Sequence, residues 1–463
     1  MHISNFKTSR KLVMLMGDII LISIAYILSV ALVLNRSVIV ENTFVYTGLL
    51  PVLMSITGLL LNINGLYTIL YRRFADVLLG TLAAHVCTMI LVMALSFWFK
   101  EYAYSRWVLI TALILQCIFL SSWRYVLWRA GRKMLSHMNI MLIGSKEECS
   151  RVYYRLQQQP QLNLKLKYIC TDLSNDRWKR AVENVEAVLL CNGIDNKSDA
   201  EIINYCYLHG RKVMFQPDMS EFLCIGAELD KIDDIPVFRL HNLQPSLEVR
   251  TMKRILDICV SFIGFVCALP FMAATAVAIK ILDPGPMLYS QIRTGKQGKE
   301  FKIYKFRTMR VDAEKYSGPM LAKENDTRIT RLGRFLRAVR LDELPQIWNV
   351  LNGDMSIVGP RPERPFFVEK FTAEMPEYAY RHNVKPGITG MAQVYGKYNT
   401  TAFDKLVYDL MYIQQCSILT DLSIIIQTVK VLFNKSATEG TGVKQEKLDI
   451  DKYGIDKDVY GDF

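Results

Sequence analysis

The sequence predicts three parts in order: an α-helical membrane bundle, a Rossmann-like α/β domain, and a mostly helical domain that carries a re-entrant membrane helix. Three observations predict this. Residues 12–128 hold only 10 charged side chains, and the remaining positions of the 463-residue chain hold the other 90. Near residue 138 the pattern changes to short β-rich runs alternating with charged helical segments. Further on, the uncharged run 258–279 is flanked by cations on both sides. A fully soluble, disordered or collagen-like chain is excluded by this distribution. The ten cysteines contain no CxxC pair, which excludes a disulfide scaffold and a zinc ribbon and leaves reduced thiols in a cytosolic setting as the default.

The first part, 1–135, contains four apolar stretches that meet the ~20 residues needed to cross a bilayer: 12–34, 43–63, 77–99 and 107–128. Arg124 falls near the end of the last, where a long side chain can snorkel to the interface. The first stretch is too long for a signal-peptide core and is followed by no small-residue cleavage site. Lys7, Arg10, Lys11, Arg72, Arg73, Arg129, Arg132 and Lys133 lie on one side of the bundle, against Arg36, Lys100 and Arg106 on the other. The positive-inside rule therefore places both ends of the bundle in the cytoplasm. Asp18, a turn or two from that end, reads as an interfacial or packing residue rather than a functional intramembrane carboxylate. His85 reads as a helix–helix contact. No span carries the polar series of a transporter path.

The second part, 136–245, places strands at 139–143, 165–170, 187–191 and 212–215, with helices near 147–158, 176–184 and 198–209. This is the rhythm of a parallel sheet. A dinucleotide fingerprint needs GxGxxG after the first strand. Here the turn reads Gly144-Ser145-Lys146-Glu147-Glu148-Cys149, with one glycine and two carboxylates where a pyrophosphate would sit. A domain that binds no dinucleotide, and serves assembly or regulation, is expected.

The third part spans 246–435. Its apolar run has Arg250, Lys253 and Arg254 on one side and Lys280 on the other, followed by Arg293, Lys296, Lys299, Lys302, Lys305, Arg307 and Arg310. Pro270 divides the run into arms of about 18 and 14 Å at ~1.5 Å per residue, each half a bilayer. A helix near 255–281 that enters, bends at Pro270 and returns satisfies both facts. Residues 290–310 interleave seven Lys/Arg with Tyr289, Phe301, Tyr304 and Phe306, a surface for anionic lipid heads rather than nucleic acid. Gly295 and Gly298 mark a turn before a β-like run, 301–306.

Arg328, Arg331, Arg334, Arg337 and Arg340 follow at three-residue intervals. Such steps drift by about 60° on a helix, so only some share a face; two or three can converge on phosphate. The series runs into Leu341-Asp342-Glu343-Leu344-Pro345-Gln346. Pro345 disfavours α geometry at Leu344, which places the two carboxylates near a helix end. Taken alone the pair reads as a salt-bridged terminus. The surrounding arginines would keep at least one carboxylate ionised, as suits a nucleophile or a metal ligand. Asn349 and the loop Gly359-Pro360-Arg361-Pro362-Glu363-Arg364 come next, a rigid frame around one guanidinium. The segments 403–414 and 422–433 are amphipathic to apolar and suit either a membrane surface or core packing. The tail 436–463, with Asp449, Asp451, Asp456, Asp458 and Asp462, is expected to be flexible.

In this region the chain resembles the bacterial sugar transferases, the monotopic phosphoglycosyl transferases. The resemblance rests on Lys253-Arg254-Ile255-Leu256-Asp257, Tyr304-Lys305-Phe306-Arg307-Thr308-Met309, the Asp342-Glu343 segment, Met355-Ser356-Ile357-Val358-Gly359-Pro360-Arg361-Pro362, and Lys385-Pro386-Gly387-Ile388-Thr389-Gly390. The four spans and the degenerate α/β domain resemble its large subgroup, the polyprenyl-phosphate hexose-1-phosphate transferases. The resemblance implies transfer of a hexose-1-phosphate, glucose first and galactose second, from a UDP-sugar to undecaprenyl phosphate with release of UMP. Such a step initiates exopolysaccharide, capsule or O-antigen assembly. It further implies Asp342 as nucleophile and Mg²⁺ ligand, assistance from Glu343, and a phosphate-binding Arg361 partnered by Asp421. On charge grounds Arg337 and Arg340 are added, with Lys305 and Arg307, as cations of the substrate site. The implied setting is the bacterial inner membrane, with the catalytic domain on its cytoplasmic face and a homodimer as the assembly. Leu269-Pro270 stands where many members have serine before the proline. Two rival readings explain less. A four-span sensor or channel with a nucleotide-binding domain needs an intact glycine fingerprint and a polar pore. A membrane-tethered nucleic-acid binder gives Asp342-Glu343 no role.

Overall fold

The apolar stretches of the first 135 residues form four helices: α1 (His2–Val33), α2 (Thr43–Ile63), α3 (Phe74–Trp98) and α4 (Arg106–Met134). These come from a computed structural model that describes residues 2–34, 43–67, 74–98, 105–134, 137–193, 196–225, 227–240, 242–310, 328–396 and 400–433. Lys11–Val33, Phe74–Leu95 and Arg106–Arg132 are long and apolar enough to cross a membrane; the apolar part of α2 is the shorter Leu50–Ile63. Gly17 lets α1 and α4 approach, because a Cβ there would stand 2.7 Å from the Trp123 ring. Beside this contact Arg124 does not snorkel. It is fully buried, donating to Asp18 Oδ2 at 2.8 Å and to the Leu66 carbonyl at 3.0 Å. An acid one α1 turn inside the bundle gives the guanidinium a partner at depth, so leaving for the interface gains nothing. Asp18 is thus a packing residue. His85 is also buried, and its Nδ1 meets Thr81 O of its own helix at 2.6 Å.

The next segment forms a parallel sheet in the order β2-β1-β3-β4, from β1 (Met138–Ile143), β2 (Leu164–Cys170), β3 (Ala187–Leu190) and β4 (Lys212–Phe215). Helices α5 (Lys146–Gln157), α6 (Arg177–Glu183) and α7 (Asn196–Leu208) connect them. Cores form on both faces, one around Met141, Trp178 and Ile202, the other around Ile140, Leu142 and Cys149. Order reverses between β1 and β3, the usual crevice of such sheets. There Gly144 serves packing: a Cβ would meet the Cys191 Cβ at 2.6 Å.

Chain contacts divide the protein into two units, one running to Phe222 and one beginning at Leu223. The second unit opens with α8 (Met219–Cys224) at the boundary and the hairpin β5–β6 (Glu228–Ile232, Ile235–Arg239). Helix α9 (Leu247–Leu282) then runs 36 residues and continues through Pro270. It is capped by Ser246, whose hydroxyl accepts from Val249 N. Its buried residues, Asp257, Ser261, Ala268, Thr275 and Ile279, make a stripe of mostly small and polar groups that ends on an isoleucine, while Phe262, Ile263, Val266, Leu269 and Phe271 are exposed. Both ends are tied to the same unit. Arg254 donates to Val350 O and Leu351 O, and Asp257 Oδ1 accepts from Ser356 and from Ile357 N. At the other end Met272, Ala276 and Ile279 pack with Phe306, Leu336 and Leu341.

The remainder is the antiparallel hairpin β7–β8 (Leu288–Thr294, Glu300–Phe306), helices α10 (Arg331–Ala338) and α11 (Gln346–Asn352), and the short parallel pair β9–β10 (Ser356–Val358, Gly387–Thr389). Four more helices complete it: α12 (Pro365–Glu374), α13 (Met391–Tyr395), α14 (Ala402–Gln414) and α15 (Ile418–Phe433). The turn at Gly295–Gly298 and the strand after it match expectation. Segment 403–414 takes the core-packing alternative, since α14 buries Leu406, Leu410, Tyr412 and Ile413. The tail 436–463 and the loop cations Arg36, Arg72, Arg73 and Lys100 lie outside the described residues.

Candidate active site

Asp342 and Glu343 sit on a single 3₁₀ turn, Leu341–Glu343, between α10 and α11. Helix α10 ends because Arg340 adopts the left-handed region, φ +60°, an unusual conformation for a residue with a Cβ. Leu344 is itself α-helical (φ −53°, ψ −37°), contrary to the expectation drawn from Pro345. Proline biases its predecessor without forbidding α geometry, and here its missing N–H falls at the start of α11, where helix donors are unpaired anyway.

The two carboxylates have different surroundings. Glu343 Oε1 accepts from Lys305 Nζ and from Arg361 Nη2, both at 2.9 Å, and Oε2 lies 3.9 Å from Arg340 Nη1. Burial alone would raise its pKa. Arg361 and Lys305 outweigh burial and hold the Glu343 carboxyl well below the usual range. Asp342 is buried, and its Oδ1 has no hydrogen-bond partner among the described residues. Burial, and then the charge of Glu343, push its carboxyl up; Lys305, Arg337 and Arg340 oppose that rise. The acid expected to be held low by arginines is therefore Glu343, and Asp342 is the one with an oxygen to spare.

Each cation is aimed by local structure. Lys305 comes from β8, which Asn349 anchors by donating to Lys302 O at 2.7 Å and accepting from Tyr304 N at 3.2 Å. Burial lowers the Lys305 pKa and Glu343 counters it. Arg361 belongs to a loop pinned by Gly359 N to Thr389 O (2.8 Å) and Gly387 N to Pro360 O (2.9 Å). Side chains at Gly359 or Gly387 would collide with backbone at 2.4 and 2.1 Å. Two further arginines hold the loop's carbonyls: Arg381 donates to Arg361 O at 2.9 Å and Arg293 to Pro362 O at 3.0 Å. Buried Arg381 also pairs with Asp409 of α14 at 2.8 Å. Of the arginine series, Arg331 and Arg334 face outward, Arg340 reaches Glu343, and Arg337 bonds Thr308 Oγ1 at 2.9 Å while its charge acts on Asp342.

Two residues expected to bind substrate are committed elsewhere. Asp421 is buried, accepting from Lys253 Nζ at 2.6 Å and from the Tyr412 hydroxyl at 2.8 Å, a tie between α9, α14 and α15. Arg307 is buried at the C-terminal end of α9, donating to Asp283 O and lying 3.7 Å from its carboxylate. In each case a buried charge has taken the nearest opposite partner. Arg381 and Asp409 went unnoticed in the sequence, because 28 positions separate them and neither sits in a telling motif.

No cluster of three His, Cys, Asp or Glu side chains that could hold a metal occurs among the described residues. Mg²⁺ commonly takes only one or two protein carboxylates and fills its shell with water and substrate phosphate. The unpartnered Asp342 oxygen suits that mode; Glu343, saturated by cations, does not.

Comparison with known proteins identifies the relatives of this chain. Residues 248–435 match the bacterial sugar transferase family, and residues 62–194 match a CoA-binding domain. A UDP-N-acetylgalactosamine-undecaprenyl-phosphate N-acetylgalactosaminephosphotransferase from Aeromonas hydrophila is 43% identical over 205 residues, 44% of this chain and 48% of that protein. A UDP-glucose:undecaprenyl-phosphate glucose-1-phosphate transferase from Klebsiella pneumoniae is 40% identical over 231 residues, 49% of this chain and 50% of that protein. One of the same name from Caulobacter vibrioides is 41% identical over 229 residues, 45% of this chain and 83% of that protein. The chain thus spans about half the length of the first two relatives and most of the third.

Proposed function

The chain belongs to the bacterial sugar transferase family, and on that premise we propose that it transfers a hexose-1-phosphate from a UDP-sugar to undecaprenyl phosphate at the cytoplasmic face of the inner membrane. Glucose is the first choice of sugar and galactose the second; relatives named for N-acetylgalactosamine put that sugar in the test panel as well. The observation that carries the reading is the division of labour on the 3₁₀ turn: Glu343 pairs with Lys305 and Arg361, and Asp342 keeps a carboxylate oxygen without a partner.

An Asp342 oxygen attacks the phosphorus next to the sugar, the bond from that phosphorus to the bridging oxygen breaks, and UMP leaves with the electron pair. A phosphate oxygen of undecaprenyl phosphate then attacks the same phosphorus and expels the carboxylate. Both steps bring anion against anion, so most of the catalysis is positioning and electrostatic neutralisation. Arg361 and Arg340 border the carboxylates and supply that charge, with Arg361 aimed by its pinned loop. Glu343 is too strongly held as an anion to carry a proton near neutral pH; its part is to orient the two cations. Asp342 is the residue that would hold Mg²⁺, and the ion would supply further neutralisation of the diphosphate.

One substrate is soluble and the other is anchored in lipid, so the site belongs at head-group depth. A re-entrant α9 that bends at Pro270 gives this placement, with the exposed apolar residues around Phe262–Phe271 in the acyl layer. A homodimer is the assembly we infer from the subgroup. The test measures UMP release from UDP-glucose, UDP-galactose and UDP-N-acetylgalactosamine with undecaprenyl phosphate, for the native chain and Asp342→Ala. Loss of turnover by at least about 10³-fold is expected for the variant. Undiminished turnover overturns the nucleophile, and no UMP from any donor overturns the reaction.

A further inference from the structure

At the far end of α11 from Asp342 the fold gathers positive charge for which the proposed reaction has no use. Arg254 Nη2 and Lys385 Nζ each lie 3.5 Å from the point where a Cβ on Gly353 would stand, which puts the two cations within about 7 Å of one another. Gly353, at φ +96°, closes α11. Arg254 is already bonded to two neutral carbonyls, Val350 O and Leu351 O, so its charge is not cancelled. Lys296, in the turn between β7 and β8, and exposed Arg250 add to the group. Among the described residues neither Lys296 nor Lys385 makes a hydrogen bond or an ion pair; Asp257 and Asp354 act on Lys385 only at longer range. Burial first, and then Arg250 for Lys296 and Arg254 for Lys385, push both ammonium groups down in pKa.

Two carboxylates face this group, and both are engaged. Asp257 Oδ1 accepts from Ser356 Oγ and Ile357 N at 3.0 Å, and Asp354 Oδ2 accepts from Asn352 at 3.4 Å. Four cations against two acids leave a local excess of two positive charges, with Arg254, Lys296 and Lys385 half-buried and Arg250 exposed. Holding like charges together in this way costs stability unless something anionic sits among them. Tetrahedral oxyanions suit the arrangement, because a planar guanidinium and two mobile ammonium groups can share three oxygens.

We propose that Arg254, Lys296 and Lys385 form a second anion site that binds a phosphate group, separate from the Asp342 centre. Two molecules bring that chemistry to this end of α9: an anionic phospholipid head group at the membrane surface, and the phosphate of a uridine nucleotide. The site stands independently of the transfer reaction, and its test reads binding rather than turnover.

Thermal unfolding of the full chain in a neutral detergent would be followed while titrating dihexanoyl phosphatidylglycerol, dihexanoyl phosphatidylcholine or UMP. The native chain is compared with K296Q/K385Q and with K299Q/K302Q, which removes two exposed charges from the same hairpin. A saturable rise in midpoint is expected with at least one anionic probe, and none with the zwitterion. The half-saturating concentration rises about tenfold or more in K296Q/K385Q and stays near native in K299Q/K302Q. If the phosphatidylglycerol response is the one lost, the ligand is a lipid head; if the UMP response is lost, it is the nucleotide. The proposal is overturned if the native chain responds to neither anion, if K296Q/K385Q responds as the native chain does, or if both double variants lose the response equally.

Discussion

Burial raises the Asp342 carboxyl and Glu343 raises it further, while Arg361 and Lys305 hold Glu343 well below its ordinary range. The signs give a test. If Asp342 is the nucleophile proposed above, it must be ionised, so adduct formation would fall as pH drops through the raised Asp342 value, above the ~3.9 of a free aspartate. Glu343→Gln removes a negative neighbour and leaves Lys305 and Arg361 uncompensated. Both changes favour the Asp342 anion, and the acid limb of single-turnover UMP release moves to lower pH. A limb that stays put shows that Glu343 does not act on Asp342 through charge. Arg381 permits a second test at this scale. Lysine there keeps a charge opposite Asp409 and loses the planar fork that also reaches Arg361 O. R381K is expected to lower kcat/KM for the donor by about 10- to 100-fold, as a displaced Arg361 loop would. Native kcat/KM shows that the glycine contacts suffice to hold the loop.

Among elements, those built on local patterns were legible and those built on distant pairs were not. The parallel strands read to within a residue, because β1 and β3 are short apolar runs buried on both faces and charged helical segments bound the other two. The Asp342-Glu343 segment could be located, since its arginines and its proline are chain neighbours. What locality conceals is who pairs with whom. Arg124 beside a helix end looks free to reach the interface, until Asp18, 106 positions away, is found against it. Likewise Asp421 looks available for substrate until Lys253 and Tyr412 occupy it. The Asp18–Arg124 pair makes the α1–α4 contact testable. Arg124→Met alone leaves a buried carboxylate uncompensated and is expected to destabilise the protein by about 3–5 kcal/mol. Asp18→Leu with Arg124→Met removes both charges and recovers most of that loss, short of the lost bond to Leu66 O. Thermal unfolding in detergent measures both; a double variant no better than the single would show that the pair is not the source of the cost.

At the scale of the whole molecule the question is on which side of the bilayer the two ends of α9 emerge. Length does not decide it, because 36 residues at ~1.5 Å exceed the ~30 Å of a hydrocarbon core, and the uncharged run alone is long enough to cross. The contacts decide more. Arg254 and Asp257 bond to α11 and β9, while Met272, Ala276 and Ile279 pack on Phe306, Leu336 and Leu341 of the same unit, with Arg307 on Asp283 beyond them. A helix that crossed would need its two ends in contact with one polar unit from opposite faces of the membrane, and the hairpin β7–β8 with its lysines would have to straddle the acyl layer. Cations flank both ends as well, which the positive-inside rule puts in the cytoplasm. On the proposed re-entrant reading Pro270 would give the bend a place, since it supplies no N–H and crowds the carbonyl four residues back. Fusions made after Ile281 of the membrane-inserted chain are therefore expected to give a fluorescent protein that lights up in the cytoplasm and an alkaline phosphatase that stays inactive. Active phosphatase at that junction would mean that α9 spans, and would leave the Asp342 centre on the wrong side of the membrane from the proposed nucleotide donor.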